Sequence, residues 1–207
     1  MIRLALPKGR NLSVALDAFR AADWSLAALD DGDRRLRIPI EELGIEVLLL
    51  KDWDVPIYVE YGIADFGVVG SDVLEEVGGD LLVPARFLDG RSRLSLIGKE
   101  RLPQAGDQVR LASKFPNIAR AVVDTRSWSA EVVKLWGSVE LAPLLDLAEV
   151  ALDIVQTGRT LRENNLVELE AVREVAPILV VNRSAWQSHR SRFVELVQRL
   201  EAAGVVE

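Results

Sequence analysis

The sequence predicts an α/β fold with a largely parallel sheet covered by helices, on three observations. Apolar runs of five to seven residues recur along the chain and alternate with segments of helical spacing, the rhythm of βαβ units. Several of these runs end in a glycine-containing turn that leads toward a helix start. The composition, 49% hydrophobic and 28% charged over 207 residues, is that of a globular protein. Such a chain can bury one large core or two cores of ~100 residues each.

The elements follow in order. "IRLAL" (2–6) reads as a buried strand, and Leu12, Leu16 and Phe19 mark one face of the helix after it. "IEVLLL" (45–50) is a second strand. "VPIYVEYG" (55–62) reads as a helix with Pro56 in its first turn, where a missing N–H is tolerated. "ADFGVVG" (64–70) is a strand, and Ser71 with Glu75 predicts a capped helix start. "RLSLIGK" (93–99) and "VRLASKF" (109–115) are strands separated by the polar loop "ERLPQAGDQ", and Pro116 opens the helix "NIARAVVD". "SAEVVKLWGSVELAPLLDL" holds a short strand and then a helix, and "VALDIVQ" (150–156) is a strand again. "LVELEAVREVAPILVVN" supplies two more. Apolar residues at 193, 194, 197 and 200 mark a C-terminal helix, with the only histidine, His189, near its start as a surface residue. The five tryptophans read as packing residues rather than stacking platforms.

Composition narrows the function. No apolar run approaches the ~18 residues that cross a bilayer, and "MIRLALPKGR" is too short in its apolar part for a signal peptide, so the expected location is the cytoplasm with no membrane partner. Zero cysteines exclude disulfides, thiolate catalysis and thiolate zinc sites. A net charge of −7 argues against nucleic-acid binding. It leaves room for a small polyanion held by basic residues gathered locally.

Three strands end alike, in "ALPKGR", "GVVGSD" and "DIVQTGRT". In open α/β sheets ligands bind beyond the carboxyl ends of strands, where helix N-termini offer N–H groups to anions. In "DIVQTGRTL" (153–161), Gly158 allows close backbone approach, Thr157 and Thr160 bring hydroxyl donors, and the amides of 157 to 160 can point at one anion, a phosphate. Asp153 only accepts when ionised, which suits a sugar hydroxyl beside that phosphate. The stretch reads as a sugar-phosphate cradle; an ordinary strand, turn and helix cap is the alternative.

The wider segment "ELAPLLDLAEVALDIVQTGRTL" (140–161) resembles the signature of the ATP phosphoribosyltransferase family: an acid, a small-residue segment, an alternating strand with its aspartate, then T-G-x-T-L. Glu140, Val150, Asp153, Thr157, Gly158, Thr160 and Leu161 keep that pattern, and Asp146 stands where it has glycine. "LALPKGR", "KDWDVPIYVEYGIADFGVVGSDVLEE" and "GRSRLSL" resemble further family segments in the same order, with Ser92 where cysteine is often found. The length is similar to the family's short form, which lacks the regulatory domain of the long form.

The resemblance implies a two-lobed, type II periplasmic-binding-protein-like fold with mixed, mostly parallel sheets and the site in the cleft. Residues 1–88 with 178–207 would form one domain, and 89–177 the other, carrying the phosphoribosyl pyrophosphate loop. It implies attack by N1 of ATP on C1 of phosphoribosyl pyrophosphate with inversion, the first step of histidine biosynthesis. Mg²⁺ would ride on the substrate's pyrophosphate, with no protein metal site. Self-association and pairing with a regulatory subunit resembling histidyl-tRNA synthetase are also implied. One helix after Val181 leaves no length for an amino-acid-binding domain of the chain's own, so histidine inhibition is expected to need that partner.

Adenine N1 already carries a lone pair, so this chemistry needs no histidine base. It needs positioning, and positive charge where pyrophosphate departs. The candidates are Lys8 and Arg10 with Gly9 at the first turn, Lys51 before "DWDVP", and Arg93. Arg159 lies in the phosphate turn, and Arg34 and Arg35 resemble a family basic pair. Each of these cations reads alternatively as a solvated surface charge. Asp65 and Asp72 could accept from the adenine amine or cap a helix. Glu140 could line the ATP site or serve as a first-turn acid. A non-catalytic solute-binding protein and a silent nucleotide-sensing subunit remain as alternatives, both excluded by turnover of the two substrates.

Overall fold

The computed structural model describes residues 1–26, 29 and 35–207. Arg34 lies outside them. The chain divides into two compact units, Met1–Arg91 with Ala176–Glu207, and Ser92–Val175. The chain passes between units at 91/92 and 175/176; the sequence placed those passages at 88/89 and 177/178.

Unit 1 contains β1 (Ile2–Pro7), α1 (Arg10–Ala21), β2 (Arg37–Ile40), β3 (Ile45–Leu50), α2 (Val55–Glu60), β4 (Phe66–Gly70), α3 (Ser71–Val77) and β5 (Leu81–Arg86). After the passage through unit 2 it is completed by β11 (Pro177–Asn182), α7 (Arg183–Ser188) and α8 (Arg190–Ala202). The sheet order is β2-β3-β1-β4-β11-β5, parallel from β3 through β1 to β4 and antiparallel elsewhere. The apolar runs are continuous because the sheet is buried on both faces. Leu4, Leu6, Phe66, Val68, Leu179 and Val181 pack on one face with Leu12 and Phe19 of α1 and Phe193, Leu196 and Leu200 of α8. Ala5, Val69, Ile178 and Val180 pack on the other with Val55 and Val59 of α2 and Val73 of α3. Phe66 and Phe193 meet edge-on at 5.3 Å.

Two strands escaped the sequence reading, β2 ("RIPI") and β5 ("LLVPAR"). Both contain proline and both form edges of the sheet, the position where a missing N–H leaves no ladder bond unmade. The expected Ser71 cap also differs: Gly70 is the N-cap residue, and the Ser71 hydroxyl instead accepts from the Ala176 amide at 3.2 Å, tying α3 to the returning chain. His189 sits between α7 and α8 as expected, its ring edge-on to Phe193 at 6.5 Å.

Unit 2 contains β6 (Ser92–Gly98), β7 (Gln108–Ser113), α4 (Pro116–Asp124), β8 (Ser129–Lys134), α5 (Leu141–Leu144), β9 (Val150–Val155), α6 (Arg159–Glu163) and β10 (Val167–Val175). Its order is β10-β6-β9-β7-β8, parallel from β9 through β7 to β8. In each unit the βαβ rhythm accounts for the three parallel strands, and the antiparallel partners come from strands that enter from outside that rhythm. No helix among the described residues is long and apolar enough to cross a membrane.

The close approach of β4 to β1 depends on Gly67. A Cβ there would stand 2.9 Å from the Ala5 carbonyl oxygen and 2.9 Å from Val55 Cγ1. Gly67→Ala is expected to cost about 1–3 kcal/mol of stability, an overpacking penalty read as a lowered urea midpoint with unchanged slope.

Candidate functional site

Each unit places chemistry at the carboxyl ends of its parallel strands. In unit 1, Pro7 pairs with Leu50 as the last rung between β1 and β3, and the Lys8 amide donates to the Leu50 carbonyl at 3.0 Å. Lys8 and Lys51 therefore leave adjacent strands side by side, about 5 Å apart by strand spacing. Both are exposed, and among the described residues neither ammonium is ion-paired. Gly9 follows at φ 86°, a conformation that L side chains rarely adopt, and turns the chain into α1, which Arg10 opens. Gly70 ends β4 beside them, with the carboxylate of Asp72 crowding the space where its Cβ would stand and the amide of buried Asn11 in ordinary contact with it.

Asp65 is not part of this group. Leu4 pairs with Phe66, so Asp65 lies level with Arg3, five residues before Gly70 and roughly 16 Å back along the strand at ~3.3 Å per residue. Its side chain accepts the Arg3 amide at 2.7 Å, and its backbone bonds Arg3 and Asn182. Asp65→Ala is expected to lower stability by about 1 kcal/mol while leaving the KM for ATP unchanged, measured by denaturation and steady-state assay.

In unit 2 the stretch "DIVQTGRTL" forms the end of β9, a turn and α6. Gly158 is the N-cap residue in the left-handed conformation at φ 66°, which no β-branched neighbour could adopt without strain. The Thr157 hydroxyl accepts from the Arg159 amide at 3.4 Å, and Arg162 Nη1 donates to the Thr157 carbonyl at 3.0 Å. That carbonyl is thereby drawn toward the helix side. Thr157 and Thr160 are exposed, and the first-turn amides of α6 lack acceptors within the helix. Arg159 is 79% exposed and pairs with Glu163 one turn on, at 2.7 Å.

Asp153 is 5% exposed, two residues before the end of β9. Its Oδ1 receives the Ile154 amide at 2.8 Å and Lys114 Nζ at 3.0 Å. Burial pushes this carboxyl above the ordinary aspartate value, Lys114 and the Ile154 amide pull against that, and the charge of Glu140 adds to the rise. Glu140 thus faces the same neighbourhood. It stands at the N-cap position of the four-residue α5 without a side-chain capping bond.

Arg93 begins beside this turn, since its backbone pairs with Val155. Its guanidinium turns the other way and forks onto Glu168 of β10 at 2.9 and 2.8 Å, while the Ser95 hydroxyl donates to the same carboxylate at 2.7 Å. These hydrogen bonds hold Glu168 below the ordinary glutamate value. The structure therefore does not present Arg93 to the β9–α6 turn.

Three residues entered from the structure alone: Lys114, Arg162 and Ser113. Lys114 carries a signal that sequence could have used, a lysine directly after a strand, as at Lys8 and Lys51. Asp146, the departure from the family pattern, has φ 57°. It follows α5 at the position where a left-handed residue closes the helix, and the Leu147 amide returns to the Ala142 carbonyl at 2.9 Å. Glycine is the usual occupant there, and aspartate is among the few others that tolerate it. Trp136 departs from the packing role expected of the tryptophans: it is 82% exposed in the turn after β8, with Lys134 Nζ 4.2 Å from its ring centre.

A family model described as HisG, ATP phosphoribosyltransferase, matches residues 51–202, which span β3's end to α8. The chain belongs to the ATP phosphoribosyltransferase family. It is an enzyme of the first step of histidine biosynthesis. An ATP phosphoribosyltransferase from Acidithiobacillus ferrooxidans is 39% identical over 207 residues, covering 97% of this chain and 96% of the relative. One from Thermus thermophilus is 42% identical over 199 residues, covering 96% and 95%. The solved ATP phosphoribosyl transferase (HisG:HisZ) complex from Thermotoga maritima contains a chain that superposes with a TM-score of 0.82 at 30% identity, with 98% of each chain covered. A substrate binding protein of an amino acid ABC transporter superposes at 0.56 and 11% identity, which shows a shared type II periplasmic-binding-protein-like fold and nothing of function.

Proposed function

We propose a role for each unit's strand-end group taken by itself in the phosphoribosyltransferase reaction: the β9–α6 turn binds the 5-phosphate of phosphoribosyl pyrophosphate, and Lys8, Arg10 and Lys51 are cations suited to pyrophosphate. The observation that carries this reading is the Thr157–Gly158–Arg159–Thr160 turn, which begins four residues after the buried acid Asp153. Two exposed hydroxyls and first-turn amides surround a left-handed glycine there, the donor set of a 5-phosphate, and Asp153 supplies an acceptor for a ribose hydroxyl. Lys8 and Lys51 leave adjacent strands, so a pyrophosphate at these strand ends would attract both ammoniums.

The nucleophile is adenine N1 and the electrophile C1 of the ribose. The C1–N1 bond forms with inversion as the C1–O bond to pyrophosphate breaks, and the bonding pair leaves on the pyrophosphate oxygen. The lysines' part is electrostatic and grows as that charge gathers. Their donor set suits phosphate oxygens rather than a metal ion. Mg²⁺ belongs to this proposal as a passenger on the substrate's phosphates, adding positive charge to the leaving group. Glu140 is proposed at the edge of the nucleotide. A cytoplasmic location, self-association and a regulatory subunit resembling histidyl-tRNA synthetase complete the reading, the last supported by the HisG:HisZ complex of the T. maritima relative.

A continuous absorbance assay for phosphoribosyl-ATP tests it, run on the purified chain with and without the candidate partner. Absence of turnover in both would overturn it. Histidine inhibition is expected to be weak in the isolated chain and strong with the partner, since allostery needs a second site that distinguishes two states. Saturable inhibition of the isolated chain, non-competitive with both substrates, would place that site in this chain instead.

A further inference from the structure

Lys114 follows β7 in a turn fastened to β9. The Ser113 hydroxyl, fully buried, donates to the Leu152 carbonyl at 2.8 Å and accepts from the Phe115 amide at 2.9 Å. This pins the turn bearing Lys114 to the residue just before Asp153. The lysine is two-thirds buried, and its ammonium reaches Asp153 Oδ1 at 3.0 Å, the oxygen that also takes the Ile154 amide. Among the described residues no donor reaches Oδ2. We propose that Lys114 is a positioning residue for the phosphoribosyl substrate: it keeps Asp153 ionised and turned, with Oδ2 left to accept a ribose hydroxyl. The proposal rests on the reading that Asp153 is that acceptor.

The need for such a residue follows from the surroundings of Asp153. Glu140, at the start of α5, repels a charge there. Across the sheet Asp153 faces Ser95 on β6, but that hydroxyl is given to Glu168 of β10, which Arg93 also engages. Among the described residues Lys114 is thus the cation that faces Asp153. Burial already pushes the carboxyl up, so loss of the lysine raises it further, and a protonated carboxyl is a poorer acceptor.

The test compares the full chain with Lys114→Met, Lys114→Arg and Asp153→Asn, each checked for folding by circular dichroism. The Ile154 amide shift in NMR follows the Asp153 carboxyl without any substrate. In Lys114→Met its titration is expected to move up by about 1–3 pH units. The KM for phosphoribosyl pyrophosphate should rise as pH falls through that same range, with the KM for ATP unmoved, and Lys114→Arg should restore both. An Ile154 titration unchanged by methionine overturns the proposal, even where substrate affinity falls. Where methionine prevents folding, Lys114→Gln repeats the test with the same two outcomes. Asp153→Asn addresses the underlying reading by itself: a folded variant with an unchanged KM for phosphoribosyl pyrophosphate removes Asp153 from the ribose site, whatever the Lys114 variants show.

Discussion

Alanine at Lys8 or at Lys51 is expected to lower kcat by roughly 10²-fold, with a much smaller change in ATP affinity. The reason is differential: pyrophosphate carries more localised charge as it leaves than when it is esterified, so a cation beside it binds the transition state better than the substrate. Arginine in place of either lysine retains charge but exchanges a compact ammonium for a planar fork, and should recover only part of the rate. The two lysines leave adjacent strands at the Pro7–Leu50 rung, and in the proposed function they address one anion together. Their double variant should therefore lose less than the product of the single losses. Unchanged kcat in both single variants would return them to the status of surface charges.

Replacing Thr157 and Thr160 together with valine is expected to raise the KM for phosphoribosyl pyrophosphate by about 5- to 150-fold for each hydroxyl lost. Valine keeps the volume and branching of threonine and removes the hydroxyl, leaving phosphate oxygens short of a donor. Part of the Thr157 effect is local, because its hydroxyl accepts from the Arg159 amide at the start of α6. Serine at 157 and at 160 separates the two causes: it keeps the hydroxyl, and should restore affinity. A folded double-valine variant with the original KM would show that the turn is a plain helix start and holds no phosphate.

These two experiments probe the features that the sequence carried most plainly, and the reason is that both are local. A buried strand ending in a turn shows as an apolar run followed by glycine, so the ends of β1, β4 and β9 could be found from neighbouring residues alone. The positive φ of Gly9 and Gly158 belongs to the same class, since it is a property of one residue's backbone. The ordered group of family motifs added the chemistry, because the residues that define a phosphate turn are contiguous in the chain.

Tertiary structure decided what depends on partners distant in sequence. Asp65 looked like a companion of Asp72 seven residues on, but a strand lies between them, and its length carries Asp65 away from the strand ends to the Arg3 amide. Arg93 stood beside the phosphate turn, but a carboxylate 75 residues later claims its guanidinium. Lys114 and Asp153 meet because β7 and β9 are neighbours in the sheet, a pairing that no local pattern announces. The edge strands β2 and β5 were hidden by prolines that only an edge can hold. Local backbone preference and apolar period are written residue by residue, so sequence alone determined the strands other than β2 and β5, the strand-end turns and the reaction class; which charges are neutralised and which remain to meet a substrate is set by side chains brought together through strand order, and only the folded sheet decides that.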